Sequence, residues 1–266
     1  MTSTKCKVES GIQLLARLTK KTGIQRFYPT IFGNGPNLGE FIEIYSEEST
    51  ACLLAEFICE SLISNELGGP ESSVIVFNTD GKLTLDYLIN IAKSKILKLS
   101  NDNTHKSSTN NINVLLNSIL KKMFIVDIYE STQFYITIQN LDFFLIKNPN
   151  ISLIIFDTLT AFYWDEQDLQ KVTKMDLYIK KLLRMIQKVV KDFKVTVIYS
   201  RPEYFSTNKE PIENLEPCCE KPVIEQINYR IQIVYNDNGQ NHINVRTYDK
   251  QFQKAFNIIN DEIIWM

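Results

Sequence analysis

Short, continuously apolar segments alternate with stretches of helical length along most of this 266-residue chain. Residues 74–77 (VIVF) and 153–156 (LIIF) contain no polar side chain. Strands that are apolar on both faces are typical of a parallel sheet covered by helices on each side, because half-exposed strands alternate apolar and polar residues. The pattern therefore predicts an α/β fold with a mostly parallel buried sheet flanked by helices.

The predicted strands and helices alternate along the chain, as parallel pairing requires. Strands are predicted at 39–45, 74–78, 123–129, 152–156 and 195–199, and helices at 50–63, 83–99, 132–146 and 168–193. Residues 100–113 form a polar, low-complexity stretch, for which we predict a loop. From Tyr229 onward, apolar residues alternate on both sides of Asn238-Gly239, which predicts a C-terminal β-hairpin that extends the sheet.

We predict two parts of the chain: residues 1–38, an N-terminal helix and linker, and residues 39–266, a single domain. Ile12, Leu15 and Leu18 recur at helical spacing, and a stretch rich in Gly, Pro and Asn follows at 32–39. Such a helix packs either on its own sheet or on a neighbouring protein, and the sequence leaves both possibilities open.

Composition argues against several classes of function. The net charge is −2, whereas a protein that binds nucleic acid by itself usually carries a basic excess, so we expect DNA contact mainly through partners. Five cysteines include no C-x-x-C pair, so neither a disulfide framework nor a metal site is predicted. No apolar run reaches the length of a membrane span.

The segment 39–63 has the order of a phosphate-binding loop, which is a strand, a polar turn and then a helix. A P-loop needs glycines whose N–H groups surround the phosphates, a Lys for the β and γ groups, and a Ser or Thr for magnesium. The degenerate positions of this loop are Ser46, Ser49, Thr50, Ala51, Cys52 and Leu53. We therefore expect no tightly bound cofactor, and at most vestigial binding of ATP and Mg²⁺.

Magnitudes support this expectation. Each lost charge-assisted hydrogen bond is worth about 1.5–3 kcal/mol, and several together lower affinity by ~10³-fold or more. A Ser or Ala forced into a left-handed glycine position would cost roughly a further 1–2 kcal/mol.

Two carboxylates follow predicted strands at the same edge of the sheet. Asp157 ends the apolar run 153–156, where a nucleotide-bound magnesium would be held, and Asp80 follows 74–77, where a water-activating group could lie. Each Asp could instead cap a turn.

The helix predicted at 168–193 has an apolar stripe and a row of four cations, Lys180, Arg184, Lys188 and Lys191. This row is either a solvated helix face or a contact for DNA or a partner. Residues 200–226 contain six acids and three bases, which makes this stretch a poor ligand for phosphate.

Four segments, at 9–18 (ESGIQLLARL), 39–49 (GEFIEIYSEES), 74–80 (VIVFNTD) and 153–164 (LIIFDTLTAFYW), carry a family resemblance. In this order and spacing the chain resembles the eukaryotic recombinase paralogues, a branch of the RecA family, from about residue 9 to residue 205. The resemblance implies a RecA-like core, a nuclear location, and a role in DNA double-strand break repair by homologous recombination, including in meiosis. It also implies assembly with other recombinase paralogues, first with the D-type paralogue.

Carried over by residue, the resemblance places the Walker A loop at 46–53, the Walker B aspartate at Asp157 and the catalytic glutamate position at Asp80. It places the sensor strand and second DNA loop from Tyr199 onward, with Pro202 where a sensor Gln is expected. We therefore favour a non-catalytic subunit. The alternatives are an ATPase whose site a partner completes and a small-molecule α/β enzyme, which the absence of G-x-G-x-x-G after a strand disfavours.

Overall fold

The computed structural model of this chain describes residues 10, 11, 14, 18, 24, 27–102, 109–168, 174–203, 216–236 and 240–266. Its strands are β1 Phe41–Ser46, β2 Ser73–Asn78, β3 Met123–Asp127, β4 Ile151–Phe156, β5 Thr196–Pro202, β6 Tyr229–Val234, β7 Asn241–Arg246, β8 Gln251–Ile259 and β9 Glu262–Trp265. Its helices are α1 Pro29–Phe32, α2 Ala51–Leu62, α3 Leu85–Asp102, α4 Thr109–Leu120, α5 Ser131–Gln139, α6 Leu141–Lys147, α7 Tyr163–Asp168 and α8 Met175–Val190, with a 3₁₀ turn at Asn65–Leu67.

The described strands form one sheet of nine, in the order β3-β2-β4-β5-β1-β6-β7-β8-β9. All neighbours from β3 to β6 are parallel, and β7, β8 and β9 continue the sheet antiparallel. This architecture confirms the predicted α/β class and is consistent with a RecA-like fold. The carboxyl ends of β1, β2, β4 and β5 lie at one edge, which is where parallel sheets bind ligands.

Helices cover the sheet on both sides, as the continuous apolar strands predict. Along β4, Leu153 and Ile155 pack into a core with residues of α1 to α4, whereas Ile154 and Phe156 pack into a second core with residues of α5 to α8. Because both faces of each central strand are buried, the period-2 alternation is absent from their sequences.

The N-terminal region joins the first core before β1 begins. Phe27 is fully buried, and its ring centroid lies 5.4 Å from that of Phe57 in α2. Ile24 and Ile31 are buried in the same core. Most residues of the helix predicted at 8–18 lie outside the described part, and the boundary at residue 38 stays a prediction.

Several predicted bounds of helices and loops differ from those in the structure. The stretch 100–113 is not simply a loop, because α3 extends to Asp102 and α4 begins at Thr109. The helix predicted at 132–146 is interrupted at Asn140, whose side-chain amide donates to the Ile136 carbonyl 2.8 Å away. The helix predicted at 168–193 is α8, which begins only at Met175.

The predicted C-terminal hairpin corresponds to β6 and β7, and its proposed turn at 238–239 lies outside the described residues. The prediction missed β8 and β9, which add a second hairpin. Asn260 and Asp261 turn between these strands with φ angles of 52° and 62°. Asn and Asp tolerate this left-handed conformation better than other residues with side chains.

Candidate functional site

An open cleft of about 430 Å³ lies where the carboxyl ends of β1, β2, β4 and β5 meet. It is lined by the loop 47–50, by Asp80 and Asp157, and by Arg201 at the end of β5. The predicted nucleotide-site residues that follow β1, β2 and β4 are thus brought to one place by the topology.

The loop between β1 and α2 does not have the conformation of a phosphate cradle. Residues 46–53, all within the described part, include none with positive φ. The strain expected for Ser or Ala in a glycine conformation is therefore absent, which corrects that prediction. The loop has instead adopted a backbone path that ordinary L-residues favour.

Two serine hydroxyls accept hydrogen bonds from main-chain N–H groups of this loop and of the start of α2. The Glu48 N–H donates to Ser46 Oγ at 3.1 Å, and the Ala51 N–H donates to Ser49 Oγ at 3.3 Å. Main-chain N–H groups at this place would otherwise be the donors to a phosphate. Thr50 precedes α2, and its carbonyl accepts the Leu54 N–H at 3.1 Å.

Neither Cys52 nor Leu53, at the positions predicted for the lysine and the magnesium hydroxyl, is among the residues that line the cleft. Cys52 Sγ contacts the Asp261 carbonyl oxygen at 3.3 Å, in the turn between β8 and β9. Burial, followed by the negative charge of Glu56, raises the pKa of the Cys52 thiol to about 12, so it stays neutral. Leu53 is 2% exposed and belongs to the first core.

The C-terminal strands hold this arrangement from the side of α2 and α3. Tyr235 Oη donates to the Ser49 carbonyl at 2.8 Å, and Glu262 accepts from Ser94 and pairs with Lys98, both on α3. Sequence reasoning missed these contacts because Tyr235 and Asp261 lie 186 and 209 positions from their partners.

Asp157 and Asp80 are neighbours, as the sequence predicts. The Asp80 N–H donates to Asp157 Oδ2 at 3.3 Å, and Asp157 is 2% exposed. Burial and then the charge of Asp80 raise the pKa of Asp157 to about 6. The carboxylate of Asp80 pairs with Lys82, beside the cleft. Asp157 therefore caps the Asp80 backbone, which fits the turn-capping alternative.

The charges around the cleft oppose a triphosphate. Glu47, Glu48, Asp80 and Asp157 line it, whereas its described cations are Lys82 and Arg201. Arg201 Nε is held 2.8 Å from the buried carboxylate of Glu43. Because the lysine, the magnesium hydroxyl and the cradle of N–H groups are missing or used elsewhere, these residues do not fit a magnesium nucleotide.

A buried charge cluster lies beside the cleft and was not predicted from sequence. Glu43 on β1 pairs with Arg201 on β5 and, at 2.6 Å, with Arg230 on β6, and it accepts from Tyr199 Oη at 3.2 Å. Burial alone would raise the pKa of Glu43, but the two guanidinium groups lower it to about 2. In the sequence, the only indication of this cluster is a Glu within a mostly apolar strand, together with an Arg near one end of each of two later strands.

The four cations predicted as a DNA contact lie on α8 or at its end. Lys180 pairs with Glu216, and Arg184 pairs with Glu225. Lys188 and Lys191 are exposed. Two of the four cations are thus engaged by acids of the segment that follows β5.

Within the described residues, no group of three or more His, Cys, Asp or Glu side chains is placed to hold a metal ion. Among the helices that the structure describes, none combines the length and apolarity needed to cross a membrane.

Comparison with known proteins gives a weak but extended similarity. No family model matches the chain. The chain is 20% identical over 222 residues to the DNA repair protein XRCC2 of Mus musculus, covering 80% of this chain and 76% of that protein. This similarity supports a relation to XRCC2-like recombinase paralogues.

Proposed function

We propose that this chain is a non-catalytic subunit of a recombinase-paralogue assembly that supports DNA double-strand break repair by homologous recombination in the nucleus. The similarity to a DNA repair protein over four-fifths of the chain and the RecA-like sheet support this role. One observation carries the non-catalytic part: Cys52, at the lysine position, is covered by the Asp261 carbonyl of the C-terminal hairpin.

Such a subunit acts by presenting surfaces to other proteins. We infer that the frame of the nucleotide fold is retained, while the side chains at its phosphate-binding positions contact main-chain groups or pack in the core. The resemblance supports the D-type paralogue as the first partner and DNA contact mainly through the complex. The exposed aromatic residues Tyr129 and Trp164, 80% and 55% exposed, are of the kind that partner surfaces bury.

A second candidate function is that of an ATPase subunit whose site a partner completes. The observation that favours it is the retained pair Asp80 and Asp157 beside an open cleft of about 430 Å³. A partner could then supply cations that this chain lacks.

Co-expression with the D-type recombinase paralogue tests both candidates. We expect a stable complex in size-exclusion chromatography, with DNA-stimulated ATP turnover unchanged when Asp157→Asn is introduced into this chain. Asp165→Asn, an exposed carboxylate eight positions later, is the matched control. Loss of turnover in Asp157→Asn alone would favour the second candidate, and the absence of a complex with any recombinase paralogue would refute the first.

A further inference from the structure

The outer face of α8 is a basic ridge, defined here as Lys180, Arg184, Lys188 and Lys191. Residues three or four apart on a helix are separated by about 4.5–6 Å along its axis and lie on one side. The opposite side of α8 is buried in the second core through Ile179, Leu182, Leu183 and Ile186, among others. The ridge is therefore a linear array of cations on a rigid element.

An acidic strap, defined as residues 216–226, lies along this ridge. Glu216 pairs with Lys180, one end of the ridge, and Glu225 pairs with Arg184, the next cation along the helix. The strap thus places carboxylates where an incoming polyanion would place its phosphates.

A buried side chain of α8 makes three hydrogen bonds to the main chain of the strap. Gln187 is 6% exposed, and its Nε2 donates to the carbonyl oxygens of Val223 at 3.3 Å and Gln226 at 3.0 Å. The Glu225 N–H donates back to Gln187 Oε1 at 2.5 Å. Glu225 has a φ of 68°, a left-handed conformation that residues with side chains rarely adopt. The hydrogen bonds of Gln187 therefore hold Glu225 in a backbone conformation in which its carboxylate pairs with Arg184.

The Glu225 carboxylate lies in the field of several cations at once. Its hydrogen bond with Arg184, and then the charges of Arg184, Lys180 and Lys188, lower its pKa. One acid thus interacts with three of the four cations of the ridge.

We propose that the basic ridge of α8 binds the phosphate backbone of DNA and that the acidic strap is its intramolecular competitor. The inference rests on the proposed function for the choice of DNA as the polyanion, and on the contacts of the strap for the competition. The strap thus neutralises two of the four cations of this surface in a chain of net charge −2.

The pairs between strap and ridge are suited to exchange. Exposed ion pairs contribute little free energy and are screened by salt. DNA binding, in contrast, gains free energy from each cation that contacts a phosphate, because condensed counterions are released from the DNA. Displacement of the strap therefore depends on the ionic strength and on the number of phosphates that engage the ridge.

Fluorescence anisotropy of the full chain with labelled oligothymidylate, over a series of salt concentrations, tests this competition. We expect Glu225→Gln to raise the affinity severalfold at low salt. We also expect the slope of log K against log[salt] to steepen by about 0.7 for each cation that becomes available.

Glu220→Gln is the matched control, since it removes the same charge from the strap and Glu220 has no ion pair among the residues that the structure describes. Adding Arg184→Gln to Glu225→Gln should abolish the gain. Equal gains in both Glu variants, no gain in Glu225→Gln, or a gain that survives Arg184→Gln would overturn the proposal.

A structural measurement separates this proposal from the proposed function. Hydrogen exchange of the strap amides should accelerate when oligothymidylate is added to the wild-type chain, because the bond between the Glu225 N–H and Gln187 opens. Unchanged exchange at saturating DNA would refute displacement of the strap. We expect Glu225→Gln to form the complex with the D-type paralogue as the wild type does. Failure of the wild-type chain to form that complex would count against the proposed function, whereas unchanged DNA binding by Glu225→Gln would count against the ridge and strap.

Discussion

At position 52, a thiol stands where a phosphate-binding loop has its lysine, and the next residue is a core leucine. Cys52 is covered by Asp261, and Leu53 is 2% exposed among apolar side chains. Because both residues have contacts within the fold, the proposed loss of nucleotide binding would be a property of the structure around α2. A residue larger than Leu at position 53 would have to displace the apolar side chains that surround it.

The buried Asp157 carboxylate provides a test at the residue scale. Its pKa is raised from 3.8 to about 6, so the folded state holds its proton more tightly than the unfolded state. The wild-type protein therefore gains stability as pH falls from above 6 towards 4. At neutral pH the ionised, buried carboxylate of Asp157 lowers the free energy of unfolding.

We predict that Asp157→Asn raises the free energy of unfolding by up to about 3 kcal/mol at pH 7.5, since one pKa unit corresponds to about 1.4 kcal/mol. The gain should shrink as pH falls through 6 and disappear near pH 4. Urea denaturation across this range measures it, with the exposed Asp165→Asn as control. A gain independent of pH would contradict the assignment.

At the scale of elements, the C-terminal hairpin β8–β9 contacts α2 and α3 beside the site. Trp265 on β9 donates through Nε1 to Tyr28 Oη at 3.1 Å, and its ring lies 5.6 Å from that of Phe256. These contacts tie the end of the chain to the N-terminal region and keep the turn at Asp261 over Cys52.

Trp265→Ala should destabilise the protein by about 3 kcal/mol, because it removes a large packed ring and leaves the Tyr28 hydroxyl without this donor. Ile264→Ala on the same strand, at a side chain 42% exposed, should cost less than about 1 kcal/mol. Alkylation of Cys52, followed by mass spectrometry, should be faster in Trp265→Ala only. Equal alkylation rates in the two variants would show that the hairpin does not cover the thiol.

The charge cluster at Glu43 joins three neighbouring strands, β5, β1 and β6. Its pKa is lowered from 4.5 to about 2, so its contribution to stability is present above pH 4.5 and lost as pH falls towards 2. Glu43→Gln would leave Arg201 and Arg230 buried without their counter-charge.

We predict that Glu43→Gln lowers the free energy of unfolding by roughly 3 kcal/mol at pH 7, in line with the cost of breaking a buried ion pair. The difference from wild type should narrow only below pH 4.5. Glu220→Gln controls for net charge. A neutral effect of Glu43→Gln at pH 7 would show that the cluster contributes no stability.

The sequence predicts the central strands well, but it does not predict the contacts that the C-terminal strands and turns make with the loop before α2. The strands predicted at 74–78 and 152–156 agree with β2 and β4 within one residue, because continuous apolar runs have few alternatives. The prediction missed the helix α4 because its first residues lie in a polar stretch that is rich in asparagine. Ile112, Leu115 and Ile119 nevertheless recur at helical spacing. Local patterns cannot reveal that Tyr235 and Asp261 reach the loop before α2, since those contacts arise only when the sheet is complete.

At the scale of the whole molecule, the sheet joins three features: the loop before α2, a buried charge cluster and a strapped basic helix. The loop and the start of α2 are contacted by the side chain of Tyr235, just after β6, and by the main-chain carbonyl of Asp261 in the β8–β9 turn, while the strap leads from beyond β5 back to β6. The fold thus uses its C-terminal half to occupy surfaces at which a nucleotide-binding relative would hold ligands. This arrangement suits a subunit that acts through assembly.

Isothermal titration of the purified chain with MgATP tests the central claim most directly, which is that the loop before α2 no longer grips a nucleotide. We predict no saturable heat up to millimolar MgATP for the wild type, and the same result for Cys52→Lys, because a single lysine does not restore the loop conformation or the magnesium hydroxyl. Micromolar affinity of the wild-type chain for MgATP would contradict this account.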